Sequence, residues 1–143
     1  MSVVIAPMQA EHVASVAALE QACFSRPWSA EALTAELHNP AARFLVALDA
    51  ETVVGYIGMH VLFGEAAITN VAVSPTRRRE GIAVTLLRAA AEGVERITLE
   101  VRASNAAAIA LYEREGFSRD GIRPRFYDRP VEDAVLYSLN LKG

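Results

Sequence analysis

The sequence predicts a mixed α/β fold: one sheet of about seven strands, mostly antiparallel, with two parallel strands at its centre and four flanking helices. Short runs rich in β-branched and aromatic residues alternate with stretches whose apolar residues recur at helical spacing. Three of those runs follow one another with only turn-length breaks, the mark of an antiparallel meander. Further on, strand, helix and strand come in succession, a unit that closes as a right-handed crossover with its two strands parallel.

Taken in order, "SVVIAPM" reads as a first strand, and "QAEHVASVAALEQACF" as a helix with Val13, Val16, Ala17 and Phe24 on an approximate stripe. Pro27, Trp28 and Ser29 interrupt it. The Ser29 hydroxyl suits an N-cap for a second helix through Glu31, Leu33 and Leu37 towards Asn39-Pro40. "RFLVALD", "TVVGYIGMHVLF" and "EAAITNVAVS" form the meander. From Arg79 the period changes: Ile82, Leu86, Ala89 and Ala90 share a helical face that ends near Gly93. "RITLEVR" is a strand, and "SNAAAIALYEREGF" a helix entered at Ser104 and closed by Gly116. Two final strands run through "RFYD" and "AVLYSLNL".

The 143 residues fit one domain spanning 1–143, with no internal repeat or linker, and are enough to bury a core without staples. Hydrophobic residues make up 52% and charged residues 22%, a globular balance, and no apolar run approaches the roughly 18 residues of a membrane span. The start lacks a basic region followed by a long apolar stretch, so a soluble, cytoplasmic protein without membrane contact is expected, by default a monomer. Cys23 is the sole cysteine and His12, His38 and His60 are scattered, so no metal site is expected.

Within a net charge of -3, "RRREGIA" at Arg77 to Ala83 gathers three cations before residues with little or no side chain. The first amides of a helix have no intrahelical acceptor and lie at the positive end of its dipole, which makes them an anion site. Gly81 leaves the main chain open to a phosphate, Ala83 adds only a methyl, and the arginines supply charge at the rim. There is no Gly-Lys-Ser/Thr ending for a P-loop and no second and third glycine for a dinucleotide fingerprint. From charge alone, a solvated basic helix start after a Ser-Pro turn is the favoured reading.

Arg78-Arg79-Glu80-Gly81-Ile82-Ala83 resembles the Gln/Arg-x-x-Gly-x-Gly/Ala signature of the GCN5-related N-acetyltransferases (GNAT), as does the order of elements along the chain. "LEVRASNAAAIALYEREGF" from Leu99 to Phe117, "PWS" at Pro27 to Ser29 and "NVAV" at Asn70 to Val73 resemble the ribosomal-protein-alanine N-acetyltransferases of the RimI type. The resemblance implies a GNAT fold and transfer of an acetyl group from acetyl-CoA to the α-amine of a ribosomal protein that begins with alanine. It implies that Arg78, Arg79, Glu80, Gly81, Ile82 and Ala83 receive the CoA diphosphate. It also implies that the main chain of Val71, Ala72 and Val73 holds the acyl-pantetheine arm, Val71 and Val73 donating to the thioester carbonyl. "DRPVED" is shorter than the matching loop usual in that family, and Pro124 stands where the family more often has a polar residue.

Along "RITLEVR", Ile97, Leu99 and Val101 point one way while Thr98, Glu100 and Arg102 point the other, leaving a lone carboxylate between apolar neighbours. Glu100 is the candidate general base; the alternative is a plain ion pair with Arg102 or Arg125. An α-amine, with a reference pKa of about 8 against about 10.4 for lysine, is the easier nucleophile. Asn105, Ile109 and Tyr112 share a helix face. Asn105 can bond the pantetheine amides. Tyr112 is a half-buried core aromatic by spacing and the general acid by its position in the family. Trp28, Phe126 and Tyr127 read equally as core; the resemblance places them near the peptide groove, with Trp28, Asn70 and Tyr127 as substrate contacts. Cys23, with no histidine partner in sequence, reads as inert packing, so direct transfer is expected rather than an acetyl-cysteine relay. Two rivals remain open. One is a GNAT enzyme acting on a lysine side chain, polyamine or other small amine. The other is a non-catalytic CoA- or nucleic-acid-binding module, though direct nucleic-acid binding is not expected where arginines alternate with Glu92, Glu95, Glu113 and Asp120.

Overall fold

The structure, a computed structural model, describes residues 3–142. Strand β1 (Val3–Pro7) leads through a 3-10 turn into α1 (Val13–Cys23) and α2 (Ala30–Glu36). The meander β2 (Ala42–Asp49), β3 (Thr52–Leu62) and β4 (Glu65–Val73) follows, then α3 (Ile82–Ala90), β5 (Arg96–Arg102), α4 (Ala106–Arg114), β6 (Ser118–Tyr127) and β7 (Glu132–Asn140). The strands form one sheet in the order β1-β2-β3-β4-β5-β7-β6, with β4 and β5 parallel and the other neighbours antiparallel. This is the expected architecture. No described helix is long and apolar enough to cross a membrane.

Local chemistry sets the element ends. Ser29 Oγ accepts from the Ala32 amide at 3.1 Å and starts α2 as expected. Several boundaries differ. The helix expected from Arg79 begins at Ile82, because Gly81 turns left-handed (φ 80°) at the N-cap and leaves the arginines in the preceding turn. The cap of α4 is Asn105 rather than Ser104, its Oδ1 accepting from the Ala108 amide at 3.2 Å. Strand β6 is also longer than "RFYD". Its ladder to β7 slips between Arg119 and Gly121 and again between Arg123 and Tyr127, and its outer edge is unpaired, so most of its side chains face water.

The sheet separates two apolar layers. On one face Ile57, Met59, Ile97, Leu99 and Val101 pack with Leu86 of α3 and Leu111 of α4. On the other, Val46, Tyr56 and Ala72 pack with Val16 of α1 and Leu33 of α2. Burying each such aliphatic side chain stabilises the fold by roughly 1.5–3 kcal/mol. Strict alternation puts Val71 and Val73 towards the α3/α4 layer and Asn70 and Ala72 towards α1/α2; Glu100 and Arg102 likewise face α1/α2.

The central pairing is brief. Glu65, Ala66 and Ala67 meet Arg96, Ile97 and Thr98, and there the parallel ladder ends. Beyond it β4 stays paired to β3, while β5 stays paired to β7. The register against β3 jumps from Met59↔Ile68 to Gly58↔Asn70, so Thr69 is a bulge that bends β4 away from β5. Gly58 makes room for it: a Cβ there would lie 2.6 Å from the Phe44 ring and 2.7 Å from Thr69 Oγ1. The result is a slit between the two halves of the sheet.

Candidate active site

A cleft of about 1690 Å³ runs through the slit, from the turn before α3 to the loops at the far side. At one end, α3 offers its first amides behind Gly81, which has no side chain to cap them. A Cβ at Gly81 would meet nothing within 4 Å, so the main chain at this N-cap is uncovered, and helix-start amides left uncapped suit an anion. The three arginines divide their duties. Arg77 is bound between Asp49 (2.8 Å) and Glu80 (3.0 Å), which raises its pKa and ties the turn to β2. Arg78 donates to Val73 O at 3.4 Å and to Cys23 Sγ at 3.5 Å. Among the described residues neither Arg78 nor Arg79 pairs with a carboxylate, and Arg79 is held at φ 66°. The charge left for a guest is that of Arg78 and Arg79.

Glu100 and Tyr112 line the same cleft from opposite faces of the sheet, Glu100 from β5 on the α1/α2 side and Tyr112 from α4. Arg102 is not the partner of Glu100. It binds Glu132 (3.2 Å), Pro130 O (2.9 Å) and Asp128 O (2.6 Å) and lies 4.6 Å above the Tyr127 ring. Arg125 makes no ion pair with Glu100 either. The nearest cation is Arg123 Nη1 at 3.9 Å, with both side chains well exposed, a contact of little energetic weight. Tyr112 is buried edge-on against Phe117, and burial raises its phenol pKa above the usual 10.0, so it keeps its proton at neutral pH. Tyr127, half-buried near Glu100, is pushed up to about 12 mainly by burial.

At the other end of the cleft, the loop after α1 reaches the turn between β6 and β7. Arg26 Nε lies 2.8 Å from Asp128 Oδ1, and Arg102 Nη2 lies 3.4 Å from Ser25 Oγ. Trp28 walls this part of the cleft, its ring 5.9 Å from that of Phe44.

The sequence profile of the acetyltransferase (GNAT) family matches residues 13–117, which hold the turn, the slit, Glu100 and Tyr112. The chain belongs to the acetyltransferase (GNAT) family. A Bacillus subtilis (strain 168) relative is 35% identical over 135 residues, 90% of this acetyltransferase and 89% of its own length. An Escherichia coli (strain K12) relative, named [ribosomal protein bS18]-alanine N-acetyltransferase, is 34% identical over 128 residues, 85% of this chain and 86% of its own. The crystal structure of the ribosomal-protein-S18-alanine N-acetyltransferase from Escherichia coli superposes with a TM-score of 0.91 at 29% identity, covering 99% and 96% of the two chains. The NatC complex bound to Gag peptide and CoA contains a similar fold, with TM-score 0.83, 28% identity, and 99% and 100% covered.

In this acetyltransferase the cleft brings together Trp28, Asn70, the strand Val71 to Val73, Arg78, Arg79, Gly81, Ile82, Ala83, Glu100, Asn105, Tyr112 and Tyr127. Glu80 lies outside it, its carboxylate turned to Arg77. Asn105 spends its Oδ1 on the helix cap, which leaves its Nδ2 for a guest. Cys23 packs half-buried against the α1/α2 layer and also lines the cleft, with Sγ 3.6 Å from Val73 O. No histidine hydrogen-bonds it among the described residues. Sequence reasoning also passed over Glu20, which is fully buried and accepts hydrogen bonds from Tyr56, Asn70 and the Trp28 amide. Its signal was positional, because residues 13, 16, 17 and 20 share one helical stripe, and a carboxylate on an apolar stripe needs donors. Burial raises its pKa, against the pull of those three bonds.

Proposed function

We propose that this acetyltransferase moves the acetyl group of acetyl-CoA to the α-amine of a ribosomal protein that begins with alanine, by direct attack on the thioester. The donor is the cosubstrate throughout the family, and the acceptor follows from the name of the Escherichia coli relative that matches over most of the chain. The observation that carries the choice of acceptor is the closure of the α1–α2 loop against the β6–β7 turn, Arg26 to Asp128, over the acceptor side. A chain end can enter beneath such a closure head first. An internal lysine would have to bring chain on both sides of itself.

The open space before Gly81 and the free amides of Ile82 and Ala83 fit the diphosphate, with Arg78 and Arg79 as counter-charges. Bound acetyl-CoA supplies an activated acyl carbon and a thiolate leaving group. Main-chain N–H groups of Val71 and Val73, on a strand whose ladder to β5 has ended, meet the acyl-pantetheine arm, one of them polarising the acyl oxygen with little reorganisation. Glu100, directly or through a water, takes the proton that the attacking amine sheds as the N–C bond forms. Tyr112 gives its proton to sulfur as the C–S bond breaks. Trp28, Asn70 and Tyr127 shape the acceptor end. Residues 1–143 act in this reading as a single, monomeric, cytoplasmic catalytic domain.

Short peptides beginning with Ala, Ser or Met, and an acetyl-Ala peptide with an internal lysine, separate the acceptors when incubated with acetyl-CoA and read by mass spectrometry. Modification at the free N-terminal alanine is expected; acetylation of the lysine in the blocked peptide instead would overturn the reading. For the donor site, Gly81→Val should raise the Kd for CoA at least tenfold by calorimetry, because the side chain enters the open space before the amides. It should also destabilise the fold by about 1–2 kcal/mol through the left-handed backbone. Unchanged affinity would remove the diphosphate from this turn.

A further inference from the structure

Glu20 is a carboxylate with no exposed surface and no cation beside it among the described residues. A buried charge of this kind is costly unless its lone pairs are met. Here they are met by three donors from three places. Oε1 accepts from the Trp28 main-chain N–H at 2.8 Å, and Oε2 accepts from Tyr56 Oη at 2.5 Å and from Asn70 Nδ2 at 2.9 Å. The last bond decides which way Asn70 points. An asparagine amide can present either end, but an ionised carboxylate only accepts, so the nitrogen must face Glu20. The Asn70 Oδ1 is then left without a donor among the described residues, on a side chain that lines the cleft.

Asn70 stands on β4 and Glu100 on β5, on the two banks of the slit and on the same face of the sheet. An attacking amine needs its hydrogens held on the side away from the acyl carbon, so that its lone pair faces that carbon. We propose that Asn70 Oδ1 accepts one N–H of the acceptor amine opposite Glu100, and that Glu20 is the positioning residue that keeps Asn70 in this orientation. The same carboxylate holds the main chain at Trp28, so the contact for the amine and the wall of the groove are set by one group. This rests on the reading of the cleft as an α-amine acetyltransferase site.

Steady-state kinetics with acetyl-CoA and a free N-terminal-alanine peptide test it on four variants. Asn70→Ala should lower kcat/KM for the peptide by about ten- to a hundredfold, the loss of a hydrogen bond to a charged or reacting group, while KM for acetyl-CoA stays within about twofold. Glu20→Gln turns one end of the side chain into a donor and should lower the same parameter. Asn70→Asp alone sets two carboxylates together and should do likewise. The double variant Glu20→Gln/Asn70→Asp reverses the polarity of the bond yet still leaves an oxygen facing the cleft, and should recover about tenfold over Glu20→Gln. If Asn70→Ala changes only thermal stability, with peptide kcat/KM within about twofold of wild type, the network is structural and the proposal falls. A double variant no better than its parents removes the orienting role of Glu20. Should Glu20→Gln not fold, the half-exposed Asn70 variants still decide the contact with the amine. Wild-type protein that acetylates no peptide α-amine would instead overturn the underlying reading.

Discussion

Glu100→Gln is expected to lower kcat/KM for a peptide with a free N-terminal alanine by between about a hundredfold and ten-thousandfold, the usual contribution of a positioned base. The fold should not suffer, because the side chain is 39% exposed and its one ionic contact is the long one to Arg123. The loss should depend on pH in a defined direction. Below the α-amine pKa of about 8 the base must remove a proton before attack as well as the one shed when the N–C bond forms; above it only the second remains, so the deficit of the variant should narrow. A pH–rate profile with both proteins reads this directly. Parallel profiles, or equal rates at pH 6, would take the role of base away from Glu100.

Tyr112→Phe should cost kcat a comparable factor while leaving the affinity for acetyl-CoA nearly intact. The substitution keeps the ring that packs edge-on against Phe117 at 5.3 Å, and the hydroxyl hydrogen-bonds to no other described residue. Stability should therefore move by less than about 1 kcal/mol. Because burial raises the Tyr112 pKa above 10.0, the acid keeps its proton across the range in which the amine becomes free. The wild-type profile should show no falling alkaline limb from this group up to about pH 10. Unchanged turnover in the phenylalanine variant would assign protonation of the thiolate to solvent.

Much of the sheet could be read from the chain because buried strands leave a period of two. "RITLEVR" shows it plainly, and the same alternation puts Glu100 on the face opposite Leu99. The parallel pair followed from the strand, helix and strand around "RRREGIA". Strand β6 was hidden for the converse reason. At the edge of the sheet its side chains meet water on both faces, and Gly121, Pro124 and the arginines read as loop. The basic turn before α3 could be read from the chain, but not the division within it. Only the fold brings Asp49 across to Arg77 and turns Glu80 back on the same guanidinium. Likewise the place of Glu20 on the apolar stripe of α1 calls for donors, but which ones they are, Tyr56 and Asn70 at 36 and 50 positions away, only the fold shows. Long-range partners of polar groups leave no local period, so these are the contacts that a single sequence conceals.

The early end of the parallel ladder leaves β4 main-chain groups free, and on the proposed reading these peptide groups are what mainly meets the donor. Such contacts do not depend on which side chain a position carries, so drift at residues 71 and 73 among aliphatic types leaves donor recognition untouched. Proline alone could delete an N–H from that edge. On the proposed reading, evolutionary freedom in this enzyme is lopsided: thioester recognition would be built into the polypeptide itself, whereas acceptor choice would hang on a few replaceable groups at the opposite mouth.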